Sequence, residues 1–99
     1  MSINFTKAIV NRLQHEIADI ESKILNEKNK KEKAQSKMNQ LQRDLKLSQS
    51  HSDLSSKMTR INKLNEEIKS STRLQSELSK QLATKKASLK QHHLSIEPQ

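Results

Sequence analysis

Apolar residues recur at alternating three- and four-residue steps along the first half of the chain. From Ile3 the series runs through Thr6, Val10, Leu13, Ile17, Ile20, Ile24, Glu27, Lys31, Ala34, Met38, Leu41 and Leu45 without a slip. A repeat averaging 3.5 residues keeps one stripe of a helix turned towards a partner helix, the pattern of a coiled-coil seam. Glu27 and Lys31 are its charged members. They stand four apart, in the Glu-before-Lys order that favours pairing along one helix. A second series follows, through Leu54, Lys57, Ile61, Leu64, Ile68, Ser71, Gln75, Leu78, Leu82, Lys85, Leu89, His92 and Ile96. It is weaker, because Lys57, Lys85 and His92 dilute it. The lysine stems can still lie along apolar surface while their ammonium groups reach water or a carboxylate.

The two series are out of phase. Leu54 lies nine positions after Leu45, and one uninterrupted seam needs an offset that is a multiple of seven. The chain is therefore predicted to fold back on itself. An antiparallel register pairs Leu41 with Ile61, Met38 with Leu64, Ala34 with Ile68, Ile24 with Leu78, Ile20 with Leu82 and Leu13 with Leu89. In that register Lys31 faces Ser71 and Glu27 faces Gln75, so the polar breaks of both arms share one layer. A shift of one heptad sets Glu27 against Ile68 and Lys31 against Leu64. Burying an unpaired charge against an aliphatic side chain costs several kcal/mol, so the first register is preferred. The shared polar layer reads as a register lock.

The expected fold is all-α, an antiparallel two-helix coiled-coil hairpin that self-associates. It forms one domain over 1–99, with arm one at about 4–47, the turn at about 48–53 and arm two at about 54–95. The paired apolar residues, with Ile17, are its expected interface. The stretch "LKLSQSHSDLSSK" at 45–57 holds the reversal, near His51. Serine side chains compete for backbone hydrogen bonds and suit a turn better than a helix interior. Ser50 is the leading helix-cap candidate, with Asp53 three residues on in a capping-box-like pattern, and Ser48 or Ser52 as alternatives.

Composition fits this picture and excludes others. Apolar residues make up 30% of the chain, with one Phe and no Trp or Tyr. That is too little to fill a globular core. Glycine is absent and the one proline is Pro98, so the body of the chain lacks helix breakers. Disorder is the competing reading of a chain with 30% charged residues, and the sustained seam argues against it. Without cysteine there is no disulfide framework and no thiolate site. No apolar run has the length of a membrane span, and the mixed N-terminus lacks the apolar region of a signal peptide. A cytoplasmic protein is expected. Two helices bury only a narrow stripe, so a second copy or another helical protein is expected to cover more surface. Ile3, Phe5, Ile9, Leu94 and Ile96 gather with Val10 at the open end of the hairpin as candidate oligomer contacts.

The net charge is +8, from 19 Lys and Arg against 11 Asp and Glu. The densest basic run is "KNKKEKAQSK" at 28–37. Lysines there can neutralise phosphates, but the chain lacks aromatics to stack bases and has few arginines to read them. A solvated helix face is the favoured reading of this run, and nucleic-acid binding the lesser one. The histidines, His15, His51, His92 and His93, do not form the i, i+4 pair that a helix uses to hold a metal. A two-helix scaffold also lacks the pocket that excludes water from a reaction. No catalytic residue, cofactor or metal is expected, and an enzyme is not.

Two stretches, "LQRDLKLSQSHSDLSSKMTRINKLNEEI" at 41–68 and "LSKQLATKKASL" at 78–89, resemble the N-terminal coiled-coil region of some bacterial TIR-domain proteins. The shared layout is a serine-rich turn, Leu-x-x-Lys, then Ile and Leu at heptad spacing and a Lys-rich second arm. The opening "FTKAIVNRLQHEIADIESKI" at 5–24 fits it too. The resemblance implies an assembly module for a following TIR domain, which cleaves NAD or signals in anti-phage or virulence settings. The TIR domain itself is missing from this sequence, so no catalytic residue carries over. The expected function is a non-enzymatic module that self-associates or pairs with a larger effector of such a system. A basic nucleic-acid-binding coiled coil, and a small helical accessory of a secretion or phage system, are the alternatives.

Overall fold

The computed structural model describes residues 3–96. They form two helices, α1 at Ile3–Leu47 and α2 at His51–Ile96, folded as an antiparallel hairpin. The residues at 48–50 make the turn. Its backbone follows from the serines. Ser48 N–H donates to the Leu45 carbonyl at 3.3 Å, closing the last turn of α1. Ser50 caps α2: its Oγ accepts from the Asp53 amide at 3.4 Å, and its carbonyl accepts from Leu54 N–H at 3.0 Å. No described residue has a positive φ, so α1 ends without a left-handed residue.

The turn is shorter than the seam pattern predicts, and α2 starts at His51 rather than near residue 54. The cap sets the helix start, whereas the seam marks only the first residue that faces the other arm. Asp53 also departs from the capping-box expectation. Its carboxylate accepts from Ser48 Oγ and from Lys57 Nζ, not from the backbone amide of the cap. It therefore clasps the end of α1 to the first turn of α2. The N-terminal end of a helix also favours its negative charge.

The chain divides into two compact units, Met1–Leu25 with Ser76–Gln99 and Asn26–Gln75. In the first, Val10, Leu13, Ile17, Ile20 and Leu78 are buried, and Ile24, Leu82 and Leu89 half-buried. Two ion pairs join the helices there. Lys85 meets Glu16, and Lys86 lies 3.7 Å from Glu21. Lys85 thus occupies its seam position with its stem inward and its charge on a carboxylate of the other helix. In the second unit Ala34, Leu41, Ile61 and Ser71 are buried, and Met38, Leu64 and Ile68 half-buried. Lys57 keeps its seam position there by pairing with Asp53 along α2.

Even the most buried side chain of the seam, Leu13, keeps 4% of its surface exposed. A single pair of helices cannot seal a core, because each seam residue has protein on one side and solvent near its flanks. Polar residues inside α2 are accommodated locally. Thr59, Thr72 and Thr84 each donate to the carbonyl four residues back, at 3.1, 2.8 and 3.1 Å. No helix among the described residues is long and apolar enough to cross a membrane.

Candidate functional site

The polar break lies in the unit that contains the turn, and one long-range hydrogen bond defines it. Ser71 Oγ donates to the Glu27 carbonyl at 3.0 Å, with Ser71 only 6% exposed. A helical carbonyl points towards the C-terminus, so this hydroxyl lies alongside the turn from Glu27 to Lys31. Two members of the expected polar layer, Glu27 and Ser71, are thus brought together. Gln75 Nε2 donates to Ser71 Oγ at 3.2 Å, completing the chain of contacts.

Glu27 and Lys31 do not pair with each other as their spacing suggests. The Glu27 carboxylate instead meets Lys30 at 3.4 Å. A seam position turns its side chain towards the flank as well as the other helix, and Lys30 offers its charge at the more exposed edge. Lys31 is half-buried and makes no ion pair among the described residues. It lines a groove.

That groove is open to solvent, has a volume of about 570 Å³, and belongs wholly to the turn-end unit. Ala34, Leu64 and Leu74 form its apolar part, with Ser70 and Ser71 beside them. On the α1 side stand Lys30, Lys31, Lys33 and Lys37, with Glu27 at the end. On the α2 side stand Lys63, Glu66 and Glu67. The cause is side-chain size. Ala34 and Ser71 are small residues at seam positions, so the long side chains on the flank are not met by bulk from within. Leu74 remains 45% exposed in this groove.

The basic run at 28–37 is a largely exposed face of α1, as expected, and most of its lysines also border this groove. Lys30, Lys31, Lys33 and Lys37 share one groove. The run by itself does not show the groove, because the other wall comes from α2. The signal was present in the heptad positions: Lys30, Lys37, Glu67 and Leu74 all immediately precede a seam residue or its equivalent one heptad away. They therefore lie on the same flank of the two stripes.

The open-end cluster is only partly described. Phe5 is 53% exposed and Ile9 half-buried, both in the first unit. The side chains of Ile3, Leu94 and Ile96 lie outside the described residues. Other large apolar side chains stand exposed off the seam: Leu25, Leu47 and Met58.

Two carboxylates are held below their ordinary range. For Glu16 the main cause is the hydrogen bond from Lys85, assisted by the charges of Lys85 and Arg12. For Asp53 it is the hydrogen bond from Lys57, then the one from Ser48. Both groups belong to structural clasps, and neither lines the groove. His15 Nδ1 donates to the Asn11 carbonyl at 2.8 Å, within its own helix. No group of three or more His, Asp or Glu among the described residues is placed to hold a metal. What the groove offers is an apolar strip between charged walls. No protein-family model, curated protein or solved structure matches this chain.

Proposed function

We propose that this chain is a non-enzymatic assembly module that self-associates or pairs with a larger helical effector. The observation that carries the reading is the groove of the turn-end unit, where Leu74 stays 45% exposed beside Ala34 and Leu64. An apolar strip between charged walls is a shape that a further helix can cover, burying Leu74 and meeting the charges at its flanks. The resemblance to coiled-coil regions of bacterial TIR-domain proteins extends the proposal. The larger effector would be of that defence or virulence type, and the compartment the cytoplasm.

A second reading has support from the same groove. Five lysines line it, and the chain carries +8 overall, so a nucleic-acid backbone is the other candidate ligand. Glu66 and Glu67 in the same wall weigh against it, as does the scarcity of aromatics for base stacking. Light scattering at several salt concentrations, with and without duplex DNA, separates the two. A particle mass above one chain, with no retention of DNA, supports assembly. A monomer that retains DNA and releases it steeply as salt rises would overturn it.

A further inference from the structure

We propose that the groove of the turn-end unit is the docking surface for a second copy of this chain. This deepens the assembly reading and rests on it. The argument comes from how charge is divided between the groove walls. The α1 wall carries Lys30, Lys31, Lys33 and Lys37 against Glu27 and is net basic, and the α2 wall carries Glu66 and Glu67 against Lys63 and is net acidic. Among the described residues, Lys33, Lys37 and Glu67 make no ion pair within the chain. The two walls thus hold opposite net charges apart across an apolar strip.

A surface that binds its own copy around a two-fold axis must be self-complementary. Two such axes bring grooves face to face. An axis across the helices sets α1 on α1, and so lysine on lysine. An axis along the helices sets α1 of each copy on α2 of the other. The lysine wall then meets the second copy's Glu66 and Glu67, twice, and every neighbouring pair of helices runs antiparallel. This axis also preserves height along the hairpin. Lys37 and Glu67, which share one groove, therefore become partners between copies. Leu74 and Leu64 are covered at the same time.

Exchange of wall charges tests the arrangement in full-length protein. In the K33E/K37E chain both walls are net acidic, and in the E66K/E67K chain both are net basic. Each alone is expected to lose dimerisation by at least about tenfold, through like charges brought face to face. Mixed together they restore a dimer, because acidic walls then meet basic walls at both contacts. K33E/K37E also lowers the net positive charge, so its loss of association cannot come from general repulsion between copies. Sedimentation equilibrium reads the masses, and circular dichroism checks that each variant stays helical. Should a double variant unfold, single cysteines carry the same test. K37C and E67C chains, mixed with a short bis-maleimide, crosslink to each other and not to themselves. A native dimer indifferent to both exchanges, or K37C crosslinking only to K37C, overturns the docking surface while the assembly reading stands. A native chain that stays monomeric at high concentration overturns the docking surface and self-association together.

Discussion

Ser71 is a polar residue at a buried position with a single hydrogen-bond partner on the other helix. Its hydroxyl reaches the Glu27 carbonyl at 3.0 Å, and Gln75 supports it from one turn further along. Replacing it by Ala removes that bond without adding bulk. Ser71→Ala is expected to cost about 0.5–1.5 kcal/mol, read as a lower urea midpoint at unchanged slope. Ile20 tests the apolar part of the seam. It is 6% exposed, and Ile20→Asp places a charge there with no partner. The expected cost is about 3–5 kcal/mol, which a thin seam cannot absorb, so far-ultraviolet circular dichroism should report loss of helix at 25 °C. Retention of full helicity would mean that the seam at Ile20 contributes little. The contrast with the charged seam residues is instructive. Lys57 and Lys85 stand at equivalent positions and are tolerated, because each finds a carboxylate, Asp53 or Glu16.

At the scale of the element, the turn is held by side chains and not by a special backbone residue. Ser50 caps α2, and Asp53 joins Ser48 to Lys57. Ser50→Ala is expected to cost about 1 kcal/mol, seen as a lower melting temperature. The Asp53 clasp adds a dependence on pH whose sign follows from the lowered pKa. A carboxyl that ionises more readily in the folded chain stabilises the fold above its unfolded value, about 3.9. That contribution fades as pH falls through the lower folded value. Asp53→Asn should therefore melt below the native chain at pH 7, with the gap closing as the solution is acidified below the ordinary carboxylate range. A gap that persists unchanged in strong acid would show that the charge of Asp53 is not what matters. The helices themselves were legible in the sequence, since the stripe from Ile3 to Leu45 and the phase change before Leu54 required two arms. The start of α2 was less so. Its first turn, from His51 to Asp53, precedes the first seam residue, and only the competing serine caps mark it.

For the molecule as a whole, the seam and the groove were legible to different degrees, for a physical reason. A seam repeats over the whole length of each arm, so its period survives substitutions such as Lys57 or Gln75. The groove is a local absence of volume, created where Ala34 and Ser71 meet long flanking side chains. Its walls come from residues more than twenty positions apart, and only the fold brings Lys37 and Glu67 to the same place. The relation between the arms can be tested without touching the groove walls. The chain has no cysteine, so A34C/I68C introduces the sole pair of thiols. Ala34 is buried and Ile68 half-buried in the turn-end unit, and the register expected from the sequence pairs them in one layer of the seam. Oxidation is expected to give a crosslink within one chain, seen as faster migration on a non-reducing gel at an unchanged mass. The result should be independent of protein concentration, because a contact inside the hairpin does not depend on a second copy. Single A34C and I68C chains, mixed and oxidised, should stay uncrosslinked even where the native chain dimerises, since both positions face the partner arm of their own hairpin. If the double variant instead links only between chains, the arms pair with those of another copy, and the hairpin is an exchanged dimer in solution.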